Sequence, residues 1–218
     1  EPEIPSISTD LKGPFKIPGH KGEIYYQAYL ETTTRYMRCY TLKAKSDAAA
    51  NLKDLLEVQL AAENSTLASY HADGAKELIG KEIGKILVLH HCRMTYSPAY
   101  TAEMNGLVER SHRTVFEAAF AMLLHAKLPT IFWPYAVKYS ILIFNHMPTS
   151  TAFGYKSPIQ AKFGIRPDVS RLRVWGCICY MHIPQETRSK EGFIEKSAKC
   201  YFMGIDTVTQ SYIAWVID

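Results

Sequence analysis

The chain has 218 residues, 47% of them hydrophobic, and a formal net charge of +4 at neutral pH. The length is enough for one ordinary domain and a small second one, and the hydrophobic fraction excludes an intrinsically disordered chain. No apolar run reaches the roughly 18 residues of a membrane span, and no basic and then apolar leader opens the sequence, so we expect no membrane partner. The mildly basic charge permits a nucleic-acid partner without requiring one.

The cysteines and histidines do not form a zinc or disulfide pattern. The cysteines are odd in number and include no C-x-x-C pair: Cys39, Cys92, Cys177, Cys179 and Cys200. The tightest cluster, His90-His91-Cys92, has no second ligand pair at zinc spacing, and we interpret it as a strand end or a turn. We therefore predict a reducing compartment and no zinc site in this chain.

The beginning of the chain predicts an antiparallel three-stranded sheet followed by a helix. Segments rich in strand formers and bounded by Gly and Pro turns lie at residues 7–11, 23–30 and 36–42. Leucines at helical spacing behind a Ser46 cap predict a helix over residues 46–63. Residues 67–70 form a short strand in this prediction and deliver Asp73 at its carboxyl end, where ligands of α/β sheets collect.

The middle of the chain is expected to be mainly helical. The pattern favours a short helix at residues 77–85, a strand or a continuation of that helix at 86–89, and a mobile loop at 98–104 over the site. A long helix then begins near Asn105, a good cap, and ends near residue 126. Its predicted apolar stripe contains Leu107, Val108, Val115, Ala118, Ala119, Met122 and Leu123, and Glu109, His112 and Arg113 are assigned to another face.

The last third of the sequence changes character after two more predicted helices, residues 135–146 and 159–163. A linker follows at residues 164–173, and three apolar runs separated by polar turns then predict a small antiparallel β unit. We place the domain boundary there, with residues 1–165 as the core and residues 166–218 as the start of a small C-terminal β domain.

Three separated carboxylates, Asp10, Asp73 and Glu109, are the main candidates for chemistry, with 35 residues between the second and the third. Transfer or hydrolysis of a phosphodiester uses one or two Mg²⁺ ions to hold the attacking oxygen and to neutralise the leaving oxygen. Because Mg²⁺ takes hard oxygen ligands and keeps several waters, two or three carboxylates from different elements are enough to bind it. One aspartate alone is usually a surface or turn residue, whereas the set is typical of a divalent-metal nuclease or transposase.

Ordered motifs elsewhere resemble a single family. The runs TYSPAYTAEMNGLVERSHRT, LPTIFWPYAV, NHMPT, KSPIQAKFGIRPDVSRLRVWGC and KSAKCYFMGI resemble the integrase of copia-type LTR retrotransposons over nearly the whole chain. This resemblance implies an α/β fold with an RNase H-like catalytic core of the DDE superfamily, a mixed central sheet flanked by helices, followed by a small SH3-like β domain. It also implies that Asp10, Asp73 and Glu109 are the catalytic triad and bind two Mg²⁺ or Mn²⁺ ions.

The sequence departs from the family in two places. The family motif Asp-Asn-Gly-Gly-Glu-Phe is here Asp73-Gly74-Ala75-Lys76-Glu77-Leu78, which alters the surroundings of the second metal ligand. The His/Cys zinc module that precedes the core in the family is absent from this sequence. We expect the chain to be a piece of a longer polyprotein.

The resemblance also implies partners and DNA-contacting residues. Arg110 and Arg113 are either a solvated helix face or ligands for the phosphates beside the scissile bond. Tyr100 and Asn105 lie where retroviral integrases contact the DNA end. The implied partners are element-end DNA, target DNA, further copies of the chain in a dimer or tetramer, and a host tethering factor. The implied place of action is the nucleus, after passage through cytoplasmic virus-like particles.

Two alternatives from other classes stay open. The altered segment after Asp73 is compatible with a catalytically silent or domesticated descendant that serves as a DNA-binding or assembly module. A ribonuclease H of the same fold is a third interpretation, which the copia-type motifs beyond Glu109 disfavour. We interpret Glu31, the remaining acid near the predicted sheet, as structural.

Overall fold

The structure, a computed structural model, describes residues 5–73, 75–96, 102–151, 153–187 and 196–217, with the backbone alone for residues 102–105. The strands are β1 (Ser6–Lys12), β2 (Tyr25–Glu31), β3 (Met37–Leu42), β4 (Ser69–Ala72), β5 (Arg93–Tyr96), β6 (Thr149–Thr151), β7 (Gly154–Lys156), β8 (Ile178–His182), β9 (Ser197–Ile205) and β10 (Tyr212–Val216). The α-helices are α1 (Ala48–Asp54), α2 (Lys76–Ile79), α3 (Lys81–Leu89), α4 (Ala102–Ala126), α5 (Trp133–His146) and α6 (Pro158–Phe163). A π-helical segment, Leu55–Leu60, continues α1.

The central sheet has five strands in the order β3-β2-β1-β4-β5. Strand β1 runs antiparallel to β2, with Asp10 opposite Ala28, and parallel to β4, with Thr9 beside Ala72. Because parallel strands end at the same edge of a sheet, β1 and β4 deliver the residues that follow Thr9 and Ala72 to one place. This arrangement confirms the predicted mixed sheet.

Helices cover both faces of the sheet because its buried residues alternate along the strands. On one face Tyr26, Ala28 and Leu30 of β2 pack against α4 and α5. On the other face Tyr29 of the same strand packs against the leucines of α1 and the residues of α2 and α3. Within the described ranges, no helix combines the length and the hydrophobicity needed to cross a bilayer.

The C-terminal strands form a second sheet in the order β10-β9-β8, as predicted for the last third of the chain. Its buried side chains, Trp175, Phe202 and Met203, belong to the same hydrophobic cluster as Trp133 and Tyr139 of α5. The Trp175 indole nitrogen donates to the Met203 carbonyl at 3.0 Å. The β unit and the helical layer of the core therefore share one continuous interior. The boundary between residues 165 and 166 stays a prediction.

Several predicted elements differ from the structure. Of the two alternatives for residues 86–89, the structure shows the helix and not the strand: these residues end α3, in which Ile83 and Leu87 are buried one helical turn apart. The strand that follows is β5. Helix α4 already includes Ala102, so Asn105 lies within the helix and does not cap it. The predicted loop is wrong for residues 102–104, and its earlier part lies outside the described residues. Strands β6 and β7 form a hairpin that the sequence pattern did not predict.

Candidate active site

Asp10 lies near the end of β1, the central strand of the main sheet. One carboxylate oxygen, Oδ1, accepts a hydrogen bond from the Leu11 amide at 2.8 Å, and Oδ2 lies 3.5 Å from the Lys12 ammonium group. The side chain is 19% exposed. The carboxylate is thus held by its own strand and still reaches solvent.

Asp73 follows β4 and lies beside Asp10, since Thr9 and Ala72 are register partners. Burial raises the pKa of Asp73, and the negative charge of Asp10 raises it further, while a hydrogen bond from the Ala75 amide opposes both effects. Two carboxylates that repel each other in a partly buried place have the donor chemistry that suits a divalent cation. The pair therefore fits the metal ion that the resemblance implies.

Glu109 is an exposed residue of α4, whose Val108 and Val115 anchor the helix in the core. It lines an open groove of about 370 Å³ together with Lys12, Phe15, His112, Arg113 and Phe116. No group of three His, Cys, Asp or Glu side chains among the described residues is close enough to hold a metal ion. The structure thus brings Asp10 and Asp73 together and leaves Glu109 on the wall of the adjoining groove.

His112 is an unpredicted part of this site. Its side chain is 1% exposed, its Nε2 atom lies 3.8 Å from Oδ2 of Asp10, and its ring meets the Tyr26 ring edge-on at 5.2 Å. Neither ring nitrogen has a hydrogen-bond partner among the residues described. Burial, with a smaller contribution from the charge of Lys12, lowers the pKa of His112 to about 3. The imidazole beside Asp10 is therefore neutral.

The assignment of His112 to the outer face of the helix was wrong. Position 112 comes four residues after Val108 and three before Val115, both of which are buried, so helical spacing places it on the packed face. The polar residues around it in the run ERSHR made this helical spacing hard to recognise from the sequence.

The predicted DNA-contacting residues separate in the structure. Arg113 lines the same groove as Glu109, whereas Arg110 is not among the residues that line it. The charge of Arg110 lowers the pKa of Arg35, in the turn between β2 and β3, an effect second to burial. Tyr100 and the Asn105 side chain lie outside the described residues. Of the four, Arg113 is the one that the structure brings to the groove.

Two other acids near the site have cationic partners. Glu77, at the altered motif, is paired with Lys45, and this contact lowers the pKa of Glu77. Glu31 is buried and pairs with Arg38 at 3.1 Å and with Lys162. The structural interpretation of Glu31 is confirmed.

The chain is similar to polyproteins of plant transposons. It is 31% identical over 200 residues to the retrovirus-related Pol polyprotein from transposon RE1 of Arabidopsis thaliana, and 33% identical over 192 residues to that from transposon RE2. The polyprotein from transposon TNT 1-94 of Nicotiana tabacum is 27% identical over 209 residues. These matches cover 90%, 87% and 96% of the chain. The chain is a homologue of copia-type Pol polyproteins. No protein-family model matches it.

The chain spans 13% of the length of each Arabidopsis relative and 16% of the tobacco one. Among solved structures, the catalytic core domain of BIV integrase matches 72% of the chain with a TM-score of 0.53 and 14% identity, and 93% of that core is covered. The simian T-cell lymphotropic virus intasome, in complex with the PP2A regulatory subunit B56 gamma, matches 97% of the chain with a TM-score of 0.57 and 14% identity, and 77% of that chain is covered. The fold is therefore that of a retroviral integrase core with additional C-terminal strands.

Proposed function

We propose that the chain is the catalytic core of a retrotransposon integrase, which trims the ends of element DNA where required and joins them to host DNA with Mg²⁺ or Mn²⁺. The observation that carries the proposal is the pair of mutually repelling carboxylates, Asp10 and Asp73, at the ends of two adjacent parallel strands. The adjoining groove contains a third carboxylate, Glu109, and a guanidinium group, that of Arg113. Similarity to the Pol polyproteins of transposons and the integrase-core fold support the same conclusion.

Some of these side chains would bind the metal ions, and others would bind the DNA. Asp10 and Asp73 would hold two divalent ions, with Glu109 completing the site; the bound ions activate water or a 3′-hydroxyl and stabilise charge at the phosphate. Arg113 would hold a phosphate beside the scissile bond. His112, neutral and buried, packs behind Asp10 and limits the directions in which that carboxylate can turn. Tyr100, Asn105 and Arg110 remain proposed DNA contacts.

Joining two DNA ends requires more than one copy of a chain that carries one site. We therefore propose a dimer or tetramer on element-end and target DNA, acting in the nucleus with the help of a host tethering factor. The intasome among the matching structures is a DNA-bound assembly of another integrase and supports this arrangement by analogy.

The test is strand transfer of a labelled duplex, carrying the end of the encoding element, into a plasmid by the element-length protein. With Mg²⁺ or Mn²⁺ we expect joining by the wild type and its loss, by at least a hundredfold, in Glu109→Gln, because the variant removes one metal-binding charge. Glu117→Gln is the matched control, since Glu117 is an exposed glutamate two turns further along α4. It should join DNA at the wild-type rate.

The assembly-module alternative makes a different prediction from the same experiment. The absence of a three-donor cluster among the described residues and the Lys45–Glu77 pair at the altered motif favour it. If wild type and Glu109→Gln both bind DNA and neither joins it, the silent descendant becomes the better interpretation. Cleavage of an RNA–DNA hybrid without any joining would instead favour a ribonuclease H.

A further inference from the structure

Two guanidinium groups, those of Arg35 and Arg110, lie near each other beside the turn of α4 that carries Glu109. Arg35, in the turn between β2 and β3, is half-buried, and its Nε donates to the Ser150 carbonyl of β6 at 3.3 Å. Arg110 follows Glu109 and is near enough for its charge to act on Arg35. Neither arginine takes part in an ion pair within the described residues. Two positively charged side chains that lie close together with no carboxylate to neutralise them favour the binding of an anion between them.

The β6–β7 hairpin, which Arg35 contacts, carries further basic side chains. Ser150, whose carbonyl accepts the hydrogen bond from Arg35, pairs with Tyr155 across the hairpin. The neighbouring Thr149 pairs with Lys156, so Lys156 is one residue along the hairpin from the point that Arg35 contacts. Lys156 in turn lines a groove of about 330 Å³ that contains three basic side chains and no carboxylate: His146, Pro148, Tyr155, Lys156, Ser157, Gln160, Arg166 and Pro167. The Tyr155 side chain, 78% exposed, stands at its rim and offers a flat surface for a sugar or base.

This hairpin and the helix after it are fixed to the core. Lys162 of α6, whose side chain is 8% exposed, pairs with Glu31 of β2 and, at 3.2 Å, with Glu63. The Phe163 ring meets the Tyr36 ring edge-on at 5.5 Å. Because the base of the hairpin is anchored in this way, the charges on it are held in position before a ligand arrives, which lowers the entropic cost of binding.

We propose that Arg110, Arg35, Lys156 and Arg166 form a basic track that holds the phosphates of duplex DNA leading away from the active-site groove. The inference rests on the proposed function, because the duplex is the DNA whose reacting strand lies at Glu109. Duplex DNA fits better than an acidic protein because the track begins one residue from Glu109 and is continuous with the proposed path of the substrate. Contacts of this kind position a duplex without reading its sequence.

The test measures binding of fluorescent duplex DNA to the element-length protein by anisotropy between 50 and 200 mM salt. The variant is Lys156→Gln/Arg166→Gln. Loss of two phosphate contacts should reduce the slope of log affinity against log salt by about 1.8. The ratio of wild-type to variant affinity should therefore fall roughly tenfold between 50 and 200 mM salt. The loss should be equal for element-end and unrelated sequences, and it should grow with duplex length until the track is covered.

Lys81→Gln/Lys85→Gln is the control, with the same change of charge at two exposed lysines of α3. It should keep the wild-type slope, and thermal unfolding should show both double variants folded. The track is refuted if its variant and the control have the same slope while the wild type binds DNA. It is also refuted if the variant binds duplex DNA as the wild type does and loses only the binding of a polyglutamate peptide. That result would mean that the track binds an acidic protein. If the wild type itself binds no duplex, it is the proposed function that fails.

Discussion

His112 is the residue whose burial has the clearest measurable consequence. Burial lowers its pKa to about 3, whereas an unfolded histidine titrates near 6.5. Between these values the unfolded chain binds a proton that the folded chain does not, so stability falls as the pH falls. We expect this histidine to cost the metal-free protein about 2 kcal/mol of unfolding free energy between pH 7 and pH 5.

Urea denaturation in a chelator at several pH values measures this loss. His112→Phe keeps a buried ring and removes the titration, so its stability should fall less steeply over the same pH range, whatever its absolute value. His125→Asn, a change at an exposed histidine of the same helix, should follow the wild-type slope. Equal slopes in wild type and His112→Phe would contradict a buried neutral imidazole.

The sequence singled out Asp10, Asp73 and Glu109 because metal chemistry requires carboxylates and because the surrounding motifs are ordered. Their catalytic role stays a prediction, and His112, the buried neighbour of Asp10, was not predicted. The burial of His112 depends on its angular position around α4. The charged residues on either side of it made that position hard to predict. The different surroundings of Arg110 and Arg113 could not be predicted either, because they depend on how α4 rotates against the sheet.

Among the elements, α6 is attached to the core by charge. The Lys162 side chain is 8% exposed and the Glu31 side chain 3%, and Glu63 and Arg38 complete the network. Breaking a buried ion pair by removing one partner leaves an uncompensated charge and typically costs 3 kcal/mol or more. Lys162→Met keeps the aliphatic stem and should therefore destabilise the protein by about 3 kcal/mol.

Urea midpoints compare this variant with Lys156→Met, the same change at an exposed lysine close by. The control should stay within about 0.5 kcal/mol of the wild type. A similarly small effect of Lys162→Met would mean that the network does not hold α6 in place, and the track on the neighbouring hairpin would lose its rigid support.

Elements with a clear hydrophobic pattern were predictable, whereas β5, β6 and β7 were not. Strands β1 to β4 and helices α1, α4 and α5 follow from hydrophobic spacing and from the turn residues between them. The strand alternative for residues 86–89 reflects β-branched residues in a helix whose buried positions are Ile83 and Leu87. Strands β6 and β7 have three residues each, too few for alternation to show, and tertiary contacts such as that of Arg35 with Ser150 define them.

For the whole molecule, the main finding is that the two parts share an interior. The Tyr139 hydroxyl donates to the Arg173 carbonyl at 2.6 Å and accepts from the Arg173 amide at 2.9 Å, so α5 is fixed to the chain that enters the β unit. At the other end of the β unit, Trp215 of β10 packs against His20, in the loop between β1 and β2, and against Phe132. The C-terminal strands are thus attached both to α5 and to the loop that follows the Asp10 strand.

We therefore expect the five-stranded core and the β unit to unfold together. Phe202 of β9 is buried against Tyr139, with ring centroids 5.3 Å apart, and Phe202→Ala should cost about 4 kcal/mol because it leaves a cavity in the shared cluster. Far-UV circular dichroism and tryptophan fluorescence should still report one coincident transition at lower urea. Tyr180→Ala, a truncation on the same small sheet at a side chain that is 69% exposed, should leave the midpoint within about 0.5 kcal/mol of the wild type.

Separate transitions would contradict this prediction. If Phe202→Ala melted the β unit while the signal of the five-stranded sheet stayed at the wild-type midpoint, the boundary near residue 165 would divide two independently stable domains. A single lowered transition would instead mean that residues 166–217 stabilise the sheet that carries Asp10 and Asp73. In that case a fragment cut at the predicted boundary would expose Trp133 and Tyr139, and loss of activity in such a fragment would reflect unfolding of the core, because the β unit covers its helical layer.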